Sequence, residues 1–243
     1  MKGIVLAGGY GTRLKPLTNV TNKHLLPVYN KPMIFYPLET LRTMGAKEAL
    51  VVTGEEFSGH FLELLKTGEE FSMRIEYAVQ KGAGGIAAAL SLAEDFSDKG
   101  PIAVILGDNV FEDDFSAAYR EFSAKKEGAG IFLKKVADPE RFGVPHFDEQ
   151  DRILHIEEKP KIPKSAFAVT GLYFYDRRVF DIIKTLKPSG RGELEITDVN
   201  NWYIGKKAMA WTEVEGFWSD AGTFESLYHA ATWARSRAAA HDS

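Results

Sequence analysis

The sequence predicts an α/β fold built on a mostly parallel sheet with helices on both faces. Two observations support this prediction. Short apolar runs alternate with amphipathic helical stretches along the chain, and the first apolar run passes directly into a glycine-rich turn. Because parallel strands are joined by helical crossovers, such alternation favours a parallel sheet over an antiparallel one. The 243 residues and the hydrophobic fraction of 44% are sufficient for one large domain with a sizeable core.

The elements follow in chain order. Ile4 to Ala7 is the first predicted strand, and the later strand-like runs cover residues 50–53, 102–106, 131–136 and 168–175. Apolar residues at helical spacing predict two core-facing helix stripes. These are Ile34, Leu38 and Leu41 near the start of the chain, and Phe224, Leu227, Tyr228 and Ala231 in a helix expected over 223–235. Since there is no internal repeat or Pro/Ser-rich linker, we expect a single Rossmann-like domain over 1–243.

Composition narrows the possible partners. The net charge of −4 argues against a nucleic-acid surface, so any anion site must come from a local cluster of Arg and Lys. The chain has no cysteine, which excludes disulfides and thiolate chemistry. No charged-then-apolar leader opens the sequence and no apolar run approaches the roughly 18 residues of a membrane span, so we expect a cytoplasmic protein without membrane contact.

The turn after the first strand has the composition of a phosphate-binding loop. Gly8, Gly9 and Gly11 leave the carboxyl end of the strand, where ligands bind in open α/β sheets and where glycines let backbone N–H groups approach phosphate oxygens. Thr12 adds a hydroxyl, and Arg13 adds a planar fork of donors. The sequence of this turn matches neither the P-loop motif nor the dinucleotide-binding motif. We therefore expect a different loop that holds a nucleoside triphosphate.

Asp108 is the first candidate for metal chemistry. It follows the apolar run 102–106, whose end is expected at the same sheet edge as the glycine turn. Mg²⁺ prefers carboxylate and phosphate oxygens and needs only one or two protein carboxylates. An Asp after a strand is equally well explained as a turn former or a helix cap, so the residues alone leave both interpretations open.

The motifs that follow resemble a known family. Gly-Gly-x-Gly-Thr-Arg-Leu-x-Pro-Leu-Thr is met at 8–18, and Lys23, Leu-Pro-Val at 26–28 and Lys-Pro-Met at 31–33 continue the signature. The chain thus resembles the sugar-1-phosphate nucleotidylyltransferases, over nearly its whole length. Further segments are most similar to the branch that joins dTTP to glucose 1-phosphate. These segments are 77–80, 106–109, 138–144, 157–160, 169–171 and 191–198.

The resemblance implies a nucleotidyltransferase fold with a nucleotide-binding half at about 1–110 and a sugar-binding half at about 111–235. It implies Mg²⁺-dependent transfer of dTMP from dTTP to glucose 1-phosphate, giving dTDP-glucose and pyrophosphate, as the first step of dTDP-rhamnose or other deoxysugar synthesis for polysaccharide. It also implies a homo-oligomer. A UTP-using enzyme, or one acting on another sugar 1-phosphate, is the alternative.

Site residues carried over from the resemblance fall into three groups. The nucleotide site is expected to contain Gly8, Gly9, Gly11, Thr12, Arg13, Lys23, Gln80, Gly85 and Asp108. The sugar phosphate site is expected to contain Asn109, Gly143, Glu158, Lys159, Val169 and Arg191. Asp108 and Asp220 would hold the metal, the latter within Trp-Ser-Asp-Ala-Gly-Thr at 218–223.

Roles follow from the same resemblance. Arg13 and Lys23 are the catalytic candidates. Arg13 would stabilise the leaving pyrophosphate and Lys23 the α-phosphate, while Lys159 and Arg191 would hold the incoming phosphate. Gln80 is the expected base reader because a carboxamide both donates and accepts. Glu158 would accept hydrogen bonds from glucose hydroxyls. A surface ion pair between Glu158 and its neighbouring lysine is the alternative.

Three departures limit the transfer. Phe142 stands where many relatives have Tyr, and His24 stands where many have Gln. We expect His24 to serve packing or hydrogen bonding rather than metal binding. The chain is shorter than the long family members, so the resemblance does not decide whether an effector site is present. Residues 238–243 are expected to form a frayed tail.

Overall fold

A seven-stranded sheet with helices on both faces forms the centre of the computed structural model, which describes residues 1–125 and 127–241. The helices are α1 Phe35–Thr43, α2 Ser58–Leu65, α3 Ile86–Ser91, α4 Ser116–Lys125, α5 Arg178–Thr185, α6 Ile196–Gly205 and α7 Phe224–His241. The strands are β1 Lys2–Ala7, β2 Pro27–Val28, β3 Lys31–Pro32, β4 Glu48–Gly54, β5 Arg74–Gln80, β6 Ile102–Leu106, β7 Val110–Phe111, β8 Ala129–Lys135, β9 Gly143–Phe147, β10 Ile153–Glu158, β11 Phe167–Tyr175, β12 Met209–Glu213 and β13 Trp218–Ser219.

The strand order of the large sheet is β12-β8-β11-β6-β1-β4-β5. β1 pairs in parallel with β4 and β6, β4 with β5, and β8 with β12. β11 alone runs antiparallel to its neighbours β6 and β8. The predicted fold class is therefore confirmed, and one antiparallel strand is inserted into the parallel order.

The core lies on both faces of this sheet because neighbouring strand residues point in opposite directions. Ile4 and Val104 pack among the buried side chains of α3, α5 and α6. Val5 and Ile105 pack among those of α1, α2 and α4. The predicted stripe on α1 is confirmed, since its three members are fully buried.

The predicted stripe on α7 is wrong in part. Phe224 and Tyr228 are 47% and 68% exposed, and the buried stripe consists of Ala230 and Ala234 with Leu227 beside them. These alanines pack with Val28 of β2, where small side chains allow the helix to approach the strand closely. The helix also continues to His241, so the expected frayed tail is wrong up to that residue, and the tail's last two residues, 242–243, lie outside the described residues.

The carboxyl ends of β1 and β6 meet at one edge of the sheet. Leu6 is in register with Leu106, and the Gly107 N–H donates to the Leu6 carbonyl at 2.9 Å. The glycine turn after β1 and the Asp108 segment after β6 therefore leave the sheet side by side, as the sequence predicts. None of the described helices has both the length and the apolar character needed to cross a lipid bilayer. The division into two functional halves stays a prediction.

Candidate active site

A cleft of about 440 Å³ opens at the carboxyl edge of the sheet. All sixteen residues predicted for the site line this cleft. They are Gly8, Gly9, Gly11, Thr12, Arg13, Lys23, Gln80, Gly85, Asp108, Asn109, Gly143, Glu158, Lys159, Val169, Arg191 and Asp220. The fold thus brings together residues that lie up to 212 positions apart, from Gly8 to Asp220.

The glycine turn leaves room for the side chain of Lys23. A Cβ on Gly11 would lie 2.8 Å from the Lys23 Cβ, and one on Gly9 would lie 3.4 Å from its Cε. Thr18 steadies the turn by donating from its hydroxyl to the Gly11 carbonyl at 2.9 Å. The lysine stem therefore lies along the turn and delivers its ammonium into the cleft.

Asp108 is buried beside that ammonium. The Lys23 Nζ donates to Asp108 Oδ2, and the Asn109 Nδ2 donates to Asp108 Oδ1 at 3.0 Å. Burial alone would raise the pKa of Asp108, but the positive charge of Lys23 and these hydrogen bonds hold it below its ordinary value. Asp108 is therefore a carboxylate at neutral pH.

Asp220 is the second carboxyl group predicted for the metal, and its side chain is half-buried in the cleft. Burial, and then the negative charge of Asp108, raise its pKa above the ordinary value, while Arg141 opposes the shift. The Arg141 Nη2 donates to Asp220 Oδ2 at 3.2 Å, and its Nη1 donates to Asp138 Oδ2 at 2.6 Å. The two carboxyl groups thus lie close enough for their negative charges to repel each other.

These residues fit a hard divalent cation. Among residues 1–125 and 127–241, no group of three or more His, Cys, Asp or Glu side chains is arranged to hold a metal ion. Asp108 and Asp220 therefore supply two carboxylates at most. Mg²⁺ is commonly held by one or two carboxylates together with substrate phosphates and water, so this limited set is compatible with it.

Asn109 fastens the centre of the site. Its Oδ1 accepts from the Gly171 N–H at 2.9 Å and from the Trp218 Nε1 at 2.7 Å, while its Nδ2 holds Asp108. A Cβ on Gly171 would lie 2.5 Å from the Asn109 Nδ2, so a glycine is required there. Asn109 thereby joins β11, β13 and the carboxylate of Asp108.

Glu158 lines the same cleft at the end of β10, where it pairs with Gly143 of β9. The Thr197 hydroxyl donates to Glu158 Oε2 at 2.6 Å. Its Oε1 lies 3.5 Å from the Lys159 Nζ and 3.6 Å from the Arg191 Nη2. The pair with Lys159 is thus one part of a polar network inside the cleft, and not an isolated surface pair.

Arg191 is held by carboxylates that the sequence analysis did not single out. Its Nε and Nη2 donate to the two oxygens of Glu195 at 3.2 and 2.8 Å, and Glu193 lies 3.6 Å away. The guanidinium is 44% exposed. Its charge is therefore balanced within the chain and is still accessible from the cleft.

Gln80 connects the glycine turn to the loop that follows β5. Its Nε2 donates to the Gly85 carbonyl at 3.2 Å, and a Cβ on Gly8 would lie 2.7 Å from its Oε1. Gly85 has φ +90° and lies against Leu194, whose carbonyl oxygen would be 2.7 Å from a Cβ there. The carboxamide of Gln80 thus lies between the backbone of Gly8 and the backbone of Gly85.

The two substituted positions are explained by packing. His24 is buried, its Nδ1 lies 2.6 Å from Asn22 Oδ1, and burial together with Lys23 lowers its pKa to about 3. It is therefore neutral and hydrogen-bonded, as expected. Phe142 packs against Trp218 with ring centroids 5.3 Å apart. The guanidinium carbon of Arg141 lies 5.1 Å from the centroid of the Phe142 ring.

The contributors to the site that were missed as site residues include Arg141, Glu193, Glu195, Thr197 and Trp218. Each falls inside a segment that carries the family resemblance, at 138–144, 191–198 or 218–223. That position is the signal by which they could have been found. Their partners lie far along the chain, so the contacts themselves are not readable from local sequence.

Comparison with known proteins agrees with this geometry. The family model described as nucleotidyl transferase matches residues 2–237. A glucose-1-phosphate thymidylyltransferase of Neisseria gonorrhoeae is 49% identical over 236 residues, which cover 96% of this chain and 82% of the relative. The enzyme of the same name from Mycobacterium tuberculosis (strain ATCC 25618 / H37Rv) is 42% identical over 239 residues, covering 97% and 82%.

Solved structures give the same result. A protein of Bacillus anthracis assigned as a glucose-1-phosphate thymidylyltransferase, in complex with sucrose, has a TM-score of 0.93 at 51% identity and covers 97% of this chain and 95% of its own. A UDP-glucose pyrophosphorylase complexed with UDP-glucose has a TM-score of 0.82 at 25% identity, covering 97% and 98%. The chain therefore belongs to the nucleotidyl transferase family, in which it groups with the glucose-1-phosphate thymidylyltransferases.

Proposed function

We propose that this chain transfers dTMP from dTTP to glucose 1-phosphate, giving dTDP-glucose and pyrophosphate, with Mg²⁺ as cofactor. The observation that carries the proposal is one cleft lined by a phosphate-type glycine turn, by the carboxyl groups of Asp108 and Asp220, and by a Glu-Lys-Arg network. Relatives that are 42–49% identical bear the name of this activity, which supports the same substrates.

The nucleotide triphosphate would lie on the glycine turn. Backbone N–H groups of Gly8 to Gly11 would approach its phosphate oxygens, and Thr12 would add a hydroxyl donor. Arg13 would stabilise the departing pyrophosphate, and Lys23 would contact the α-phosphate. Since a sugar phosphate oxygen attacks the α-phosphorus in line and pyrophosphate leaves, the protein needs to position groups and offset charge, and no covalent nucleophile is required.

Asp108 and Asp220 would hold the cation. When bound, Mg²⁺ supplies positive charge that offsets the negative charge developing on the phosphates. Asn109 keeps Asp108 in place through its Nδ2, and Arg141 restrains Asp220 from the other side. These two contacts restrain both carboxylates within the cleft.

The sugar phosphate would lie at the Glu158 end. Glu158 would accept hydrogen bonds from glucose hydroxyls, with the backbone of Gly143 and the region of Val169 closing the pocket around the ring. Lys159 and Arg191 would hold the phosphate, and Asn109 is the other residue proposed for the sugar phosphate site. The exposure of Arg191 leaves its guanidinium free to turn from Glu195 toward an incoming anion.

Gln80 and Gly85 would read the base. A carboxamide can pair with the acceptor and donor edge of thymine or uracil, and a glycine lets the backbone come near the ring. Thymine and uracil differ by one methyl group, which a hydrophobic pocket distinguishes by only roughly 1–3 kcal/mol. We therefore propose a preference for dTTP in which UTP is a weaker substrate.

A UTP-using enzyme is the second candidate. The similarity to a UDP-glucose pyrophosphorylase structure favours it as an alternative, although the identity of 25% is about half that of the thymidylyltransferase relatives.

The remaining parts of the proposal are a cytoplasmic homo-oligomer with small-molecule substrates, no nucleic-acid or membrane partner, and a place at the entry to dTDP-rhamnose or other deoxysugar synthesis. The net charge of −4 supports the absence of a nucleic-acid partner.

Pyrophosphate release tests the proposal directly. The chain is incubated with glucose 1-phosphate and Mg²⁺, with dTTP or UTP at equal concentration, and EDTA is added in a parallel sample. Faster release with dTTP that stops with EDTA is the expected result. Release with UTP alone would transfer the assignment to the second candidate, and no release with either nucleotide would contradict both.

A further inference from the structure

Both oxygens of Asp108 are engaged within the chain. Oδ1 accepts from the Asn109 amide, and Oδ2 accepts from the Lys23 ammonium. The side chains of Asp108 and Lys23 are each 12% exposed. A divalent cation that approaches Asp108 through Oδ2 therefore meets the lysine charge at the position it has to occupy.

Lys23 is placed to reach a second anion. Its stem lies along Gly9 and Gly11 of the glycine turn, so its ammonium lies where the nucleotide phosphates would rest. Arg141, which contacts the other carboxylate, differs in this respect. It is anchored to Asp138 at 2.6 Å and contacts Asp220 at the longer distance of 3.2 Å. Asp108 and Lys23 thus form the pair in which a partner can be exchanged.

We propose that Lys23 acts as an exchangeable counter-ion, which blocks Asp108 Oδ2 in the nucleotide-free chain and transfers to the nucleotide phosphate when the metal and nucleotide enter together. The inference rests on the proposed function, because it assumes that a nucleoside triphosphate occupies the glycine turn. Its consequence is that the nucleotide-free chain binds divalent cations weakly.

The exchange keeps the buried charges balanced at each stage. Without nucleotide, Lys23 neutralises Asp108. With nucleotide, the phosphate neutralises Lys23 and the metal neutralises Asp108. A metal bound to Asp108 while Lys23 stays in place would leave two cations competing for the same oxygen in a poorly solvated site, which is unfavourable.

Mn²⁺ binding to the nucleotide-free protein, followed by electron paramagnetic resonance of the free ion, tests this without turnover. Lys23→Met removes the competing charge and retains the stem, so we expect the dissociation constant for Mn²⁺ to fall by about tenfold or more. Lys161→Met makes the same change at an exposed lysine and should leave the wild-type value unchanged. Lys23→Arg retains the charge and should keep binding weak.

Two results would overturn the inference. Equal Mn²⁺ affinity in wild type and Lys23→Met would show that the lysine does not block the carboxylate. A gain in Lys23→Met that persists after Asp108→Asn is added would show that the extra metal is held elsewhere. Lys23→Gln provides a second neutral variant if the methionine variant unfolds. Because wild-type pyrophosphate release is measured separately, failure of the exchange is distinguishable from failure of the proposed function.

Discussion

Gly85 and Gly82 provide a matched pair for testing how the loop after β5 supports the cleft. Both have positive φ, +90° and +67°. A Cβ on Gly82 would meet nothing within 4 Å, whereas one on Gly85 would lie 2.7 Å from the Leu194 carbonyl oxygen and 2.9 Å from the Glu193 Cβ. The same glycine-to-alanine change thus adds strain alone at one position, and strain plus a backbone clash at the other.

The magnitudes follow from these contacts. Gly82→Ala should cost about 1–2 kcal/mol of unfolding free energy, the penalty for a left-handed alanine. Gly85→Ala adds a shift of Leu194, whose backbone exchanges hydrogen bonds with Gly84 at 2.9 Å and Ala87 at 3.2 Å. Weakening two hydrogen bonds at about 0.5–1.5 kcal/mol each brings its total to about 2–5 kcal/mol.

Thermal unfolding separates the two variants. The two variants should differ by about 1–3 kcal/mol, so at about 2–4 °C per kcal/mol for a chain of this size the Gly85→Ala midpoint should lie about 2–12 °C below that of Gly82→Ala. The KM for dTTP should also rise more in Gly85→Ala, because Gln80 donates to the Gly85 carbonyl. Equal midpoints in the two variants would refute the argument that Leu194 packs on Gly85.

Three further predictions concern single side chains. Asp108→Asn should lower turnover by about two orders of magnitude or more, and pyrophosphate release near the wild-type rate at limiting Mg²⁺ would contradict its metal role. Gln80→Ala should bring the ratio of dTTP to UTP turnover toward one, and an unchanged ratio would remove it from base reading. Asp176→Asn should cost about 1.5–3 kcal/mol at pH 7 by urea unfolding, since the buried carboxylate accepts from Arg178 and Gly128. Burial would raise the pKa of Asp176, but these hydrogen bonds hold it below its ordinary value, so the stabilisation is present above about pH 4 and is lost below it, where variant and wild type should converge.

The parts of the fold and site that depend on local sequence could be predicted. The glycine turn follows an apolar strand, and Asp108 follows another, so their meeting at one sheet edge needs only the parallel arrangement. The helix stripe on α1 is similarly local. The prediction for α7 was wrong in part because Phe224 and Tyr228 have the same helical spacing as the buried alanines. The size of a side chain does not by itself tell which face of the helix meets β2.

The parts that depend on long-range pairing could not be predicted. β11 comes after both β6 and β8 in the chain but lies between them in the sheet. Its antiparallel insertion there is set by tertiary packing. The contact from Arg141 to Asp220 spans 79 residues and the one from Thr197 to Glu158 spans 39. No local pattern marks an arginine or a threonine as the partner of a particular carboxylate, because the same residue types occur on any solvated surface.

These pairings change how substrate binding at the cleft is understood. Lys23 contacts Asp108 and Arg191 contacts Glu195, so two of the cations proposed to bind phosphate already hold a carboxylate. A phosphate that binds either cation would therefore compete with a protein carboxylate, and a carboxylate that it displaces would gain a metal, a sugar hydroxyl or water. The free energy of binding is then a difference between two sets of charge-assisted hydrogen bonds rather than the sum of new ones. Partner exchange of this kind favours ligands that bring both charges, a phosphate with its cation, over ligands that bring one.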